Sequence, residues 1–307
     1  MSLSINTNTS SMVALETLNA TQTALSATEN AVSTGKKVAN ASDNPASFGI
    51  ASQMSGNISG QSAVNDGLSY ASAVVSSTNT AANQILSVLA EIQQAVTSVG
   101  NNSGSDTSLA QINKEITGYL GQIDTIAQNS TTNGVNLLSG GKTDGLSITA
   151  SSLNYVTGLQ GSLATVSSFK TMNGTTTAGT TLSAMLGLTS SAVASGVPTG
   201  NSLFAAYTTA GVTSSTLQKA ISTVQKAIVS MTNFTSQLGN NTKQIANLTT
   251  FGQSVTDNLT TGVGALTDAD MSAESAKLTS LQTKQSLAIK SLSIANGQSQ
   301  NILSLFQ

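Results

Sequence analysis

Two carboxylates at the start of the last helical stretch, Asp268 and Asp270, are the pair in this sequence that could do acid–base work. Nothing around them completes a catalytic set. The chain has no His and no Cys, so the commonest general base and the thiol nucleophile are both missing. No glycine-rich phosphate loop and no metal-ligand spacing occurs along the chain. The cations are all Lys and form no basic patch, and the formal net charge is −2, which argues against nucleic acid as a partner. Asp268 and Asp270 therefore read as caps that satisfy the free amides of a helix start. The chemistry predicted is that of a structural protein, with no catalytic residues, no cofactor and no metal.

Composition says what such a protein packs against. The 307 residues suffice for one elongated or two compact domains. Aromatics are 3% and Trp is absent, which favours thin helical layers of Ala, Leu, Ile and Val over a compact aromatic core. Charged residues are 8%, against about 25% in ordinary soluble domains. Low charge with many Ala, Ser, Thr, Asn and Gln suits a subunit that packs against copies of itself. The first residues, Met1 to Asn6, have neither the basic nor the apolar region of a secretory signal peptide. No apolar run reaches the roughly 18 residues of a membrane span.

The longest regular pattern runs from Leu68 to Val99. Leu68, Val75, Ala82, Leu89 and Val96 recur every heptad, and Ala71, Thr78, Ile85, Ile92 and Val99 repeat beside them. This is the a/d seam of a long helix lying against other long helices, roughly 48 Å at ~1.5 Å per residue. Val74, Ala81 and Val88 add a third row, so a bundle fits better than a two-stranded coil.

Before it, residues 3–34 predict a helix with Leu15, Leu18, Leu25 and Val32 on one face and Ala14, Ala24 and Ala31 beside them. Gly35 ends that helix, Ser42 or Asp43 caps the next, and Pro45 sits in its first turn. Residues 100–107 form a turn, and Leu109, Ile112, Ile116, Tyr119, Ile123 and Ile126 seam a further helix, closed by Asn133 to Leu138. From Gly140 to Thr213 the helical period disappears, and Leu146 and Ile148 alternate with Ser147 and Thr149 as a short strand would. Helical spacing returns at Leu217, Ile221, Val224, Ile228, Met231, Leu238 and Ile245, and a break is expected at Gly262 and Gly264. The last helix carries Leu278, Leu281, Ala288, Leu292, Ala295 and Ile302 on one face, while Leu287, Ile289 and Ile294 cover others. The fold class predicted is mainly α: an elongated antiparallel helical bundle with paired, coiled-coil-like terminal helices and a short β-containing or irregular central excursion.

Several motifs resemble bacterial flagellins. They are Ile5 to Asn8, the Ser-Thr-Gly connector at Ser33–Gly35 with Ala41 to Ala46, Asn65 to Ser69, Asn133 to Leu138, Leu186-Gly187-Leu188, and the tail Ala295 to Gln307. The tail departs from the family by ending in Gln307, where Arg is frequent. The resemblance covers about 1–140 and 214–307. It implies a self-assembling subunit of the extracellular flagellar filament, a homopolymer exported by the flagellar type III apparatus with a chaperone and growing beneath a cap next to hook-junction proteins. It implies residues 1–35 and 270–307 as the inner core, 36–139 and 214–269 as the outer bundle, and 140–213 as a variable surface region. Filament packing then falls to Leu15, Leu18, Leu25, Val32, Leu278, Leu281, Leu292, Ile302, Leu303 and Leu305. Some flagellins carry O-glycans, which makes Thr175, Thr176, Thr177, Ser190 and Ser191 candidate acceptors. Many activate a host innate receptor through an Arg-containing stretch; the matching stretch has Gln93, with Glu115 on the adjoining helix, which implies weak activation. A hook–filament junction protein and a flagellin-like surface adhesin or ligand-binding protein remain the alternatives.

Overall fold

The computed structural model describes residues 8–138, 152–173, 181–189 and 212–303, with side chains described to Gly297. The elements are α1 (Thr9–Thr34), α2 (Pro45–Asn101), α3 (Asp106–Asn129), β1 (Leu153–Val156), β2 (Leu163–Val166), α4 (Phe169–Met172), α5 (Leu182–Met185), α6 (Ser214–Thr267) and α7 (Met271–Leu303). They fall into two compact units, residues 1–59 with 256–307 and residues 60–255, whose boundaries lie inside α2 and α6.

The larger unit is built on the heptad seam. Every a and d residue from Leu68 to Val99 is buried, and so are Val74, Ala81 and Val88. Thr78 takes a d position because its hydroxyl donates to the Val74 carbonyl (2.9 Å), leaving only its methyl to pack. From α3 come Leu109, Ile112, Ile116, Leu120 and Ile123, and from α6 Val224, Met231, Phe234, Leu238 and Ile245. Tyr119 and Ile126 of the expected α3 seam are only half-buried, and Leu120 and Ala127 take the inner positions. The α2 and α6 helices approach closely at Gly252, where a Cβ would run into the side-chain amides of Gln61 and Asn65. Asn65 opens the Asn-Asp-Gly run, and here it is a packing residue.

The turn after α3 is set by chemistry legible in Asn133-Gly134. Asn133 has φ 48° and Gly134 φ 80°, the left-handed pair of a tight turn, which closes with Thr132 and Val135 bonded in both directions. Asn136, fully buried, then caps α3. Its amide donates to the carbonyls of Ala127 (2.7 Å) and Gln128 (3.3 Å), and its Oδ1 accepts from the Leu138 amide (2.8 Å). Leu137 and Leu138 drop into the core.

The described part of the central region is more ordered than an irregular excursion. The strands β1 and β2 form an antiparallel hairpin with Leu153 opposite Val166 and Tyr155 opposite Ala164. Leu153, Tyr155 and Val166 are buried, whereas Leu163 and Leu159 face outward. The strand expected at Leu146 and Ile148 lies outside the described residues. Ser168 caps α4, and Phe169 meets Phe234 of α6 edge to face, 5.4 Å between ring centres. Leu182, Met185, Leu186 and Leu188 bury the segment around α5.

That segment is held by a residue without any sequence signature. Asp124 of α3, itself buried, accepts from the Ser183 amide (2.8 Å) and from the Ser183 hydroxyl (2.7 Å). Hydrogen bonds to a charged group contribute about 1.5–3 kcal/mol each. Asp124→Ala is expected to lower the stability of this unit by about 3 kcal/mol, read by thermal or urea melting, and Asp124→Asn by less. A wild-type melt for Asp124→Ala would mean that apolar packing, not the Asp124 hydrogen bonds, holds α5 in place.

In the smaller unit, α1 ends at Gly35 (φ 69°), as the connector predicts. Neither Ser42 nor Asp43 caps α2. Asn44 does, its Oδ1 accepting from Ser47 N (3.1 Å), while Asp43 folds the connector by accepting from the amides of Ala39 and Asn40. The break expected at Gly262 and Gly264 is absent, because α6 runs on to Thr267. Gly262 makes room for the Met54 methyl group, and Asp268 to Asp270 take the turn. Asp270 caps α7, accepting from Ser272 N (2.9 Å) and Ala273 N (3.2 Å).

Candidate assembly surfaces

The terminal helices α1 and α7 lie antiparallel and are clipped together at both ends. At one end Asn8 Nδ2 donates to the Ala295 carbonyl (2.9 Å) and Ser11 Oγ to Asn296 Oδ1 (2.8 Å). At the other, Ala269 N donates to the Gly35 carbonyl (2.9 Å), and Lys37 N to that of Thr267 (2.7 Å). Between the clips α1 buries Ala14, Thr21, Leu25 and Thr28, and α7 buries Leu281, Ala288 and Ala295. Thr21 can sit in this seam because its hydroxyl donates to the Thr17 carbonyl (2.7 Å).

The expected packing residues divide between two surfaces. Leu25 and Leu281 belong to the seam inside the chain. Leu18, Val32, Leu278 and Leu292 are half-buried along its edges, and Leu15 faces away from it. Ile302 and Leu303 continue α7, without described side chains, and Leu305 lies outside the described residues. Residues absent from that expected set make up most of the outward apolar surface: Met12 and Val13 on α1, and Leu287, Ile289 and Ile294 on α7, from 52% to 73% exposed. Their signal was present in the sequence, since a helix apolar on several faces has more to bury than one neighbour can cover. A groove of about 350 Å³ bordered by Val13, Thr17, Lys284 and Leu287 runs along one edge of the pair.

Gln93 is half-buried on α2, and its carbonyl accepts from the Thr97 hydroxyl (2.8 Å). Glu115 is exposed on α3 and accepts from the Tyr119 hydroxyl (3.0 Å). That hydrogen bond, with desolvation and the nearby carboxylates of Glu115 and Glu91, holds the Tyr119 phenol above its ordinary range. The neighbourhood of Tyr119 is therefore acidic. The candidate glycan acceptors Thr175, Thr176, Thr177, Ser190 and Ser191 lie outside the described residues. Among the described residues no group of His, Cys, Asp and Glu could hold a metal ion, and no helix is long and apolar enough to cross a membrane.

Residues 5–143 match the bacterial flagellin N-terminal helical region, and residues 221–306 match the bacterial flagellin C-terminal helical region. The chain is 34% identical over 306 residues to a flagellin of Brucella melitensis, with 99% of each covered. It is 32% identical over 304 residues to flagellin FljK of Caulobacter vibrioides, covering 99% of this chain and 98% of the relative. Flagellin C of Rhizobium meliloti is 32% identical over 322 residues, with 99% of each covered.

Proposed function

Because the chain belongs to the bacterial flagellins, structural and non-enzymatic subunits of the extracellular flagellar filament, we propose that its terminal helices pack between subunits to hold that filament together. Residues 1–35 and 270–307 form the inner core, and 36–139 with 214–269 form the bundle around it. Residues 140–213 decorate the bundle. Leu15, Leu18, Val32, Leu278 and Leu292 pack against neighbouring copies together with Met12, Val13, Leu287, Ile289 and Ile294, and Ile302, Leu303 and Leu305 extend the contact. Leu25 and Leu281 keep α1 and α7 paired.

The observation that carries this reading is the apolar surface left on α1 and α7 after they have paired. Covering apolar surface contributes about 25 cal/mol per Å², and with so few charges on these helices neighbouring copies are the natural cover. The finer partners follow from the same role: a chaperone on the C-terminal helix, the type III export apparatus, a filament cap and hook-junction proteins. Activation of a host innate receptor is weak, because Gln93 lacks the fixed cationic fork of an Arg. Purified protein given sonicated filament seeds is expected to elongate them into helical filaments under negative-stain microscopy. Protein that stays monomeric with seeds at every concentration would overturn the reading.

A further inference from the structure

On each terminal helix an exposed charge stands among the outward apolar residues, and the two are of opposite sign: Glu16 at the edge of the α1 patch and Lys290 inside the α7 patch, where Lys284 is a second cation one turn before Leu287. On α1 the charge is Glu16, with Met12 and Val13 one turn before it on the same face and Leu15 beside it. On α7 it is Lys290, with Leu287 one turn before it, Ile294 one turn after it and Ile289 beside it. Both charges are exposed. Neither is in an ion pair; among the described residues the ion pair formed is Lys277 with Glu274 on α7 itself.

We propose that Glu16 of one subunit pairs with Lys290 of a second copy of this chain, fixing how far the α1 patch and the α7 patch slide along each other. This rests on the filament reading above and adds a specific contact to it. Apolar faces of Leu, Ile, Val and Met bind without preferring one register, since burial is non-directional. A charge bordered by such residues is different: once covered, it is costly unless it meets its counter-charge. A slip by one helical turn would set Glu16 beside Leu287 or Ile294 in place of Lys290. The contact is heterologous, α1 of one copy to α7 of another, and a heterologous contact that does not close generates an open helical polymer.

Charge exchange tests this in the full-length chain, with seeded elongation as the readout and monomer melting as the control. Glu16→Lys and Lys290→Glu are each expected to slow elongation at least about tenfold, the factor for 1.4 kcal/mol, with unchanged monomer melting. The double exchange restores elongation to within about threefold of wild type. An equimolar mixture of the two single variants also elongates, because each supplies the charge the other lacks; a pair within one chain could not be rescued that way. Should an exchange variant melt early, Glu16→Gln and Lys290→Gln serve instead, the two together slowing growth no more than either alone. The pairing is overturned if either single exchange elongates at the wild-type rate, if the double exchange is no faster than the singles, if the mixture fails to grow, or if the Gln effects simply add. Any of these results leaves the filament role standing provided the wild-type chain elongates; failure of the wild type counts against the filament reading itself.

Discussion

Ile294→Asp and Leu287→Asp are expected to abolish elongation from seeds while leaving the separate subunit as stable as before. Ile294 is 73% exposed and Leu287 66% exposed, so an Asp at either place stays in water in the monomer, where surface changes shift stability by about 0.5 kcal/mol or less. In the proposed subunit contact the same positions are covered. Each substitution then forfeits roughly 1.5–3 kcal/mol of side-chain burial, and it adds the larger cost of an unpaired charge in an apolar contact. The penalty recurs in every subunit, so growth stops rather than slows. Leu281→Ala makes the contrast, because it opens the α1–α7 seam within the chain and should loosen the terminal helices before assembly begins. Seeded growth followed by light scattering, beside circular-dichroism melts of the monomer, separates the two cases. Asp variants that grew at the wild-type rate would remove α7 from the assembly surface.

Phe234→Ala should produce the largest loss of folding stability among single changes in the larger unit. Phe234 and Phe169 are fully buried and meet edge to face. Truncating a buried Phe typically costs about 3–5 kcal/mol. Phe169 stands at the start of α4, whose first amide donates to the Leu137 carbonyl (2.8 Å), so this aromatic pair joins the central region to both α6 and the segment after α3. Phe169→Ala should cost a similar amount. The double variant should cost less than the two together, the difference being about 0.5–1.5 kcal/mol for the ring–ring contact. Equilibrium urea unfolding of the four proteins measures it. Strict additivity would mean that the rings fill volume independently.

Much of the architecture was legible because long helices repeat their signal many times. The Leu68–Val99 seam presents five heptads, and every one of its a and d residues is buried; a period sustained that long has no competing explanation. Gly35 and Asn133-Gly134 were legible for a different reason, since few residues tolerate a positive φ. Where a pattern is short or weak, residue order does not mark the element. The strands β1 and β2 are four residues each, too brief for alternation to stand out among Ser, Thr and Gly. Asp124 and Ser183 are far apart in sequence, and nothing local marks them as partners.

The inner face of α1 shows most directly what only tertiary structure decides. Sequence spacing groups Leu15, Leu18, Leu25 and Val32, yet the buried stripe is Ala14, Thr21, Leu25 and Thr28, and Leu15 points outward. Thr21 passes for an apolar residue because its hydroxyl is bonded to the Thr17 carbonyl of its own helix, and Leu passes for a surface residue when a second, unpaired face awaits a neighbour. On a helix with only two charges, Glu16 and Glu29, polarity contrast is too small to say which face is which. The residues themselves determined that long, nearly uncharged helices would form and seek one another, because heptad repetition and apolar burial are properties of the chain. Which face each terminal helix spends inside the chain and which it leaves for another copy depended on where α1 and α7 dock, and docking is settled by shape and end-to-end hydrogen bonds that no local pattern encodes.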